Sequence, residues 1–248
     1  NGYLNKNAKF KTVEELKEDS FDGRDIKVAL FSAGGSVSEK FAPIAAKAGV
    51  TVVDNSSAFR MDPEVPLVVP EINPEDIKNN KGIIANPNCS TIQSVLPLKP
   101  IHDKYKIKRV IYSTYQSVSG SGIKGISDLE KGTNLAYKYP IVNNCIPQID
   151  VFLDNGYTKE EMKMINETKK ILHDDSLLVT ATTVRVPVRN SHSISINVEV
   201  EKPFEIEDVK KIISDYPGMI LKDDPANEIY PMPLMSADKN EVYVGRIR

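Results

Sequence analysis

Between Ile26 and Asn55 the sequence permits few folds. Ile26-Lys27-Val28-Ala29-Leu30-Phe31 is a short, largely apolar run of the kind buried in parallel sheets, and it runs into Ser32-Ala33-Gly34-Gly35-Ser36. A helical pattern from about Val37 to Ala48 follows; Gly49 stops it, and Val50-Thr51-Val52-Val53 is the next strand. Strand, glycine turn, helix and strand in about thirty residues make a βαβ unit, hence a parallel sheet. Ligands of such sheets bind beyond the carboxyl ends of the strands, where Ser32 to Ser36 and Asn55 to Arg60 lie. The turn is not the G-x-G-x-x-G fingerprint, so a plain tight turn is as good a reading of it as a phosphate cradle. Arg60, at a strand end, is either solvated or an anion ligand.

A second strand-to-helix junction carries the more reactive chemistry. Ile83-Ile84-Ala85 reads as a buried strand, Pro87 breaks it, and Asn88, Ser90 and Thr91 open a helix with Cys89 on the turn. A thiol at a helix N-terminus meets unpaired backbone N–H groups and the positive end of the dipole, which favour thiolate. The same N–H groups suit an oxyanion on an acyl group carried by that sulfur. A lone cysteine is more often a small packing residue, so partners decide between the readings. One candidate is His192, in the link between strand patterns at Leu177 to Val188 and Ser193 to Val200, which read as a meander or hairpin.

After Cys89 the pattern shifts from βαβ to long strands with interspersed helices. Lys108 to Tyr115 alternates as a strand; Thr158 to Leu172 is an amphipathic helix with an N-cap at Thr158; Ile123 to Val142 looks like an irregular surface connection. The fold class is therefore α/β: a Rossmann-like parallel-sheet domain over residues 1–88, followed by an α+β domain over 89–248. A net charge of −2 gives no pull toward nucleic acid or anionic membrane. No apolar run reaches the ~20 residues of a membrane span. Two cysteines, Cys89 and Cys145, make a disulfide framework improbable and point to a reducing cytoplasm. Together with His102, His173 and His192 they show no metal-ligand spacing, so no metal is expected.

Eight motifs then stand in one order. They are Ser-Ala-Gly-Gly-Ser (32–36), Asp-Asn-Ser-Ser-Ala-Phe-Arg-Met (54–61), Asn-Pro-Asn-Cys-Ser-Thr-Ile-Gln (86–93) and Ser-Thr-Tyr-Gln-Ser-Val-Ser-Gly-Ser-Gly (113–122), then Ile-Pro-Gln-Ile-Asp (146–150), Glu-Thr-Lys-Lys-Ile (167–171), Val-Arg-Val-Pro-Val with His-Ser (184–193), and the terminal Val-Gly-Arg-Ile-Arg. Together they make the chain closely resemble the bacterial-type aspartate-semialdehyde dehydrogenases over essentially its whole length.

The resemblance implies an NADP-dependent reductase that converts aspartyl phosphate to aspartate semialdehyde on the route to lysine, threonine and methionine. It implies a Rossmann cofactor domain, an α+β catalytic and dimerisation domain, and a homodimer or homotetramer in the cytoplasm. By motif match, Cys89 is the acyl-forming nucleophile, His192 the acid/base, and Gln116 orients the substrate. Arg60, Asn88 and Lys170 match phosphate-binding positions; Arg185 takes the α-carboxylate and Glu167 the α-amino group. Ser32, Ala33 and Gly34, with Ser119 and Gly120, line the cofactor. Two cations, an arginine and a glutamate form a set complementary to phosphate, carboxylate and ammonium.

The family's opening strand with its Gly-x-x-Gly-x-x-Gly turn, and its closing helical segment, are not in these 248 residues. The chain thus reads as a piece with the acyl-transfer machinery and half a cofactor site. Two alternatives stay open. N-acetyl-γ-glutamyl-phosphate reductases share the architecture but favour Asn-Pro-Gly-Cys-Tyr at the nucleophile. A non-catalytic homologue would keep the fold without turnover.

Overall fold

The structure, a computed structural model, describes residues 13–248, so the first twelve positions of the expected 1–88 domain lie outside the described residues. The chain forms two compact units. One comprises residues up to Pro66 together with Ile77–Asn86; the other comprises Leu67–Asp76 and Pro87–Arg248. The division is less simple than a single cut after residue 88, because 67–76 go with the second unit.

The first unit contains β1 (Val28–Phe31), α1 (Gly35–Lys47), β2 (Thr51–Asp54) and β3 (Ile83–Ala85). Its three strands are all parallel in the order β1-β2-β3, with Val28 opposite Thr51 and Val52 opposite Ile83. The expected βαβ unit is there, with Ala42, Ala45 and Val52 fully buried at its centre. β1 departs from the expectation of a buried strand: Val28 is 57% and Leu30 80% exposed. It is an edge strand whose side chains alternate, and the face bearing Val28 and Leu30 is uncovered among the described residues.

The second unit holds α2 (Cys89–Tyr105), β4 (Ile107–Gln116), α3 (Gly122–Lys131), α4 (Lys159–Leu172), β5 (Leu178–Arg185), β6 (Ser193–Val200), α5 (Ile206–Asp215), β7 (Met219–Leu221) and β8 (Val242–Val244). β7 and β8 form a small parallel pair. α2 runs unbroken through Pro97 and Pro100, because burial of Val95, Leu96 and Leu98 outweighs the lost propensity. α3 replaces the first part of the expected irregular connection, while residues 132–142 have neither helix nor strand. Its Gly122 and Gly125 weaken the helical pattern, yet Gly125 is needed there: a Cβ would stand 2.5 Å from the Val118 carbonyl. α4 starts as its sequence indicates, with a capping box between Thr158 and Glu161.

The main sheet corrects the expected hairpin. Its order is β5-β4-β6, with β4 parallel to β5 and antiparallel to β6. β5 and β6 are therefore not paired with each other. Residues 186–192 instead cross the end of β4, held by Val186 N–H donating to Gln116 O (3.0 Å) and Val118 N–H donating to Val188 O (2.8 Å). This crossing brings Gln116, Arg185 and His192 to one end of one sheet.

Candidate active site

Cys89 is the first residue of α2, and the residue before it does the capping. Asn88 Oδ1 accepts from Ser90 N–H (2.9 Å) and Thr91 N–H (3.1 Å), while Asn88 N–H donates to Glu167 Oε2 at 2.7 Å. Two of the N–H groups expected to stabilise thiolate are thus taken by Asn88. Solvent reaches Cys89, yet the protein packed around it pushes its thiol above the ordinary range, and the Glu160 carboxylate pushes it further. Hydrogen bonding from Ser90 and the charge of Arg185 act the other way and do not win. Burial and the Glu160 charge thus work against the thiolate that the helix start favours, and they hold the Cys89 thiol above its ordinary range.

Glu160, which the motifs did not single out, is the centre of the cluster. It lies in the first turn of α4, where Thr158 caps the helix and Glu161 Oε1 accepts the Thr183 N–H of β5 at 3.0 Å. That anchor turns Glu160 toward the end of the sheet. Its Oε1 accepts from Asn88 Nδ2 (2.9 Å) and Gln116 Nε2 (3.1 Å), and its Oε2 from Lys163 Nζ (3.2 Å). Lys163 also pairs with Asp150 at 2.9 Å. Burial alone would raise the Glu160 pKa, but Lys163 and the two amide donors outweigh it and hold the carboxyl below its usual range. Glu160 is buried and ionised.

Gln116 and Arg185 are opposite each other at the last pair of the β4–β5 ladder, and both are buried. Gln116 Oε1 accepts from Thr114 Oγ1 at 3.0 Å, so both ends of the amide are oriented. Arg185 Nη1 donates to Ser117 O at 2.6 Å, while its Nε has no hydrogen-bond partner. A buried guanidinium with an unmet donor is suited to an incoming carboxylate.

His192 sits where the crossing segment meets Ser117. Its carbonyl accepts from Gln93 Nε2 of α2 at 3.2 Å. Its Nδ1 lies 3.0 Å from Ser117 N and 3.1 Å from Ser117 Oγ. Burial, followed by the charge of Arg185, pushes the imidazole pKa down to about 4, against an opposing pull from Glu160. Gly120 closes over this pair: a Cβ there would stand 3.0 Å from Arg185 Nη1 and 3.6 Å from His192 Cε1. Cys89, Gln116, Arg185 and His192 therefore belong to one constellation with Asn88 and Glu160, tied together by hydrogen bonds or by shared charges.

Glu167 joins this cluster through the Asn88 main chain, and Lys170 stands three residues further along α4. Glu-x-x-Lys occurs twice in α4, as Glu160-x-x-Lys163 and Glu167-x-x-Lys170, seven residues apart and so about two turns or ~10 Å along the helix. The first pair meets Asn88 and Gln116. Glu167 is 1% exposed with a carboxylate oxygen committed to the Asn88 main chain, and Lys170 lies in the last turn of α4. Glu160 and Lys163, one heptad toward the N-terminus, are the copy linked to Gln116. The repeat of the motif was the available signal; both glutamates are buried, and the hydrogen bond from Gln116 singles out Glu160.

In the first unit, Arg60 is buried, with Nε donating to Asn86 O (2.8 Å) and Nη2 to Asn55 O (3.0 Å), at the carboxyl ends of β3 and β2. It is a built part of that sheet edge and not a solvated loop cation. Ser32, Ala33 and Gly34 are exposed between β1 and α1; Gly34, at φ +97, begins the helix without a side-chain cap. An uncapped helix start beyond a parallel strand is a place for an anionic group. Ser119 Oγ lies 3.0 Å from Ser117 Oγ, beside His192. Among the described residues no group of three or more His, Cys, Asp or Glu could hold a metal ion.

Comparison with known proteins agrees with this anatomy. The family profile described as semialdehyde dehydrogenase, NAD binding domain, matches residues 3–80, and the one described as semialdehyde dehydrogenase, dimerisation domain, matches 98–248. The chain is 56% identical over 251 residues to the aspartate-semialdehyde dehydrogenase of Aquifex aeolicus, covering 96% of this chain and 73% of the relative. The crystal structure of aspartate semialdehyde dehydrogenase II complexed with ASA from Vibrio cholerae superimposes with a TM-score of 0.89 at 46% identity, over 96% of this chain and 72% of that one. The enzyme from Candida albicans with NADP gives a TM-score of 0.73 at 27% identity, over 97% of this chain and 76% of that one.

Proposed function

Since the chain belongs to the aspartate-semialdehyde dehydrogenase family of oxidoreductases, we propose that it performs the NADP-dependent reductive dephosphorylation of L-aspartyl 4-phosphate to L-aspartate 4-semialdehyde through a thioacyl intermediate on Cys89. The observation that carries the reading is the single constellation of Cys89, Gln116, Glu160, Arg185 and His192, with one nucleophile, one oriented amide, one carboxylate, one unmet guanidinium donor and one imidazole.

In this reading Arg185 binds the substrate carboxylate through its unmet Nε donor, and Glu160 receives the ammonium group. Lys163 is proposed for the phosphate in place of Lys170, with Arg60 and Asn88 as the resemblance implies. Gln116 fixes the acyl group over the sulfur. Cys89 sulfur attacks the acyl carbon, the carbon–oxygen bond to phosphate breaks, and the thiol proton leaves with phosphate as its mono-hydrogen form. A bound nicotinamide nucleotide supplies hydride for the resulting thioester. His192 hydrogen-bonds the oxyanion of the thiohemiacetal as its carbon–sulfur bond breaks and aldehyde is released, and a proton from solvent returns the Cys89 sulfur to the thiol.

Gly34 at the open start of α1, with Ser32 and Ala33, suits a phosphate of that nucleotide, and Ser119 and Gly120 are proposed to line it. NADP is favoured by the Candida relative that carries it. We place the protein in lysine, threonine, methionine and diaminopimelate biosynthesis in the cytoplasm; no helix among the described residues is long and apolar enough to cross a membrane. Homodimer or homotetramer assembly is supported by the name of the profile over 98–248 and by Tyr115 and Leu178, which are 49% and 64% exposed on the β5-β4-β6 sheet.

The test is the reverse reaction on the full-length protein. Aspartate semialdehyde, phosphate and NADP should yield NADPH only when phosphate is present, and Cys89→Ser should abolish it. Absence of turnover, or preference for N-acetyl-glutamate semialdehyde, overturns the proposal.

A further inference from the structure

The catalytic imidazole has a partner that the reaction scheme does not use. Ser117 follows the last residue of β4 and is fully buried. Its main chain is pinned by Arg185 donating to its carbonyl at 2.6 Å, and its neighbours are tied to the crossing segment through Val186 and Val188. In that fixed position its N–H points at His192 Nδ1 from 3.0 Å and its Oγ lies 3.1 Å from the same atom.

A serine hydroxyl can give or take a hydrogen bond, but a main-chain N–H can only give one. Nδ1 must therefore offer its lone pair. A proton on Nδ1 would face the amide hydrogen across a bond-length contact, so the one hydrogen of the neutral ring belongs to Nε2. The hydroxyls agree in direction: Ser119 Oγ, 3.0 Å from Ser117 Oγ, can donate to it, and Ser117 Oγ can donate onward to Nδ1. The charged groups that act on the ring are Arg185 of β5, which opposes imidazolium, and Glu160 of α4, which favours it.

We propose that Ser117 is the positioning residue that fixes which nitrogen of His192 carries the proton, holding the imidazole neutral with its hydrogen on Nε2. His192 then meets the substrate oxygen as a neutral hydrogen-bond donor; in this tautomer its Nε2 has no lone pair with which to take the Cys89 proton. This role rests on the proposed use of His192 in the thiohemiacetal step, but the tautomer itself does not.

The experiment is long-range nitrogen–proton NMR on the full-length protein labelled with ¹⁵N-histidine, the His192 signal being assigned with His192→Asn. The wild type should show the Nε2–H tautomer near pH 7; an Nδ1–H or averaged pattern overturns the proposal. Ser117→Ala removes one donor to the neutral ring and should raise the His192 pKa by about half a unit to one unit, the equivalent of one hydrogen bond. It should lower kcat several-fold with KM little changed, and Ser117→Thr should restore both. If Ser117→Ala leaves tautomer, pKa and kcat all unchanged, the proposal is wrong. Loss of the proposed dehydrogenase activity with an intact Nε2–H signal would fault the function and leave the positioning role standing.

Discussion

The side-chain amide of Gln116 donates to Glu160 Oε1 at 3.1 Å, the oxygen that also takes the Asn88 amide at 2.9 Å. One carboxylate oxygen thus sets the direction of two amides from different elements, and its charge also bears on Cys89 and His192. Glu160→Gln should separate these effects. The charged Lys163 takes the single remaining oxygen, so the new NH₂ faces the two amide donors; Gln116 loses its orientation and turnover should fall by about 10²-fold, the scale of one misaligned oriented group. The Cys89 pKa should fall at the same time, because the carboxylate that raises it is gone. Alkylation rate by iodoacetamide against pH reads the second effect, and a midpoint that stays in place would count against it.

Asn88 combines a cap with a donor. Asn88→Ala removes the acceptor for Ser90 and Thr91 and should cost about 1 kcal/mol in urea unfolding. Asn88→Asp keeps the cap but sets a carboxylate against Glu160, so turnover should drop about tenfold or more. That like-charge pair raises a carboxyl pKa in the folded state, so the Asp variant should regain stability as pH falls and one group protonates.

Gly120 is a contact and not a hinge. In Gly120→Ala the new Cβ meets Arg185 Nη1 at 3.0 Å and must displace it by a few tenths of an ångström. With the guanidinium in its proposed role of binding the substrate carboxylate, the expected result is a rise of about tenfold in KM for aspartate semialdehyde, with unfolding little changed. Steady-state kinetics beside a urea melt checks both halves.

The neutral His192 has a thermodynamic signature. Its folded pKa, near 4, lies below the ordinary value of 6.5, so between those limits the unfolded chain binds the proton and the folded one does not. Its contribution to stability is therefore lost progressively as pH falls from about 6.5 to 4. His192→Asn should flatten the stability–pH curve in that window and leave it unchanged above pH 7; chemical denaturation at intervals across pH 4–8 measures this.

Much of the site was legible because its chemistry is local. Cys89 after an Asn cap, Gln116 at a strand end and His192 in a short link each sit in a pattern that a strand-turn reading detects, and the structure gathers all three with Arg185. What escaped depends on packing. Glu160 and Glu167 stand in matching Glu-x-x-Lys motifs, and helical periodicity puts two residues seven apart on nearly the same face. Asn88 touches both, its side chain at Glu160 and its main chain at Glu167, and the Glu161 anchor to Thr183 with the Gln116 hydrogen bond distinguishes the first turn. The β5–β6 hairpin failed for a similar reason: the four residues 189–192 between the two strand patterns suit a hairpin loop, and nothing within them reveals that β4 lies between. The dipole argument at Cys89 left out the surrounding packing and the Glu160 charge, which push the thiol the other way.

The crossing at 186–192 also works as a gauge. It must step over one strand, a lateral distance of about 9.5 Å at the usual strand spacing. Its remaining length is consumed in holding Gln116, Val118 and Ser117. Deleting one residue between Pro187 and Ser191 leaves two outcomes. Either His192 is drawn off Ser117, or β6 slips by one position and turns Ile194, Ile196 and Val198 to the opposite face. The interval from Arg185 to His192 thus records, in the count of residues along the chain, the breadth of the strand that separates the guanidinium from the imidazole.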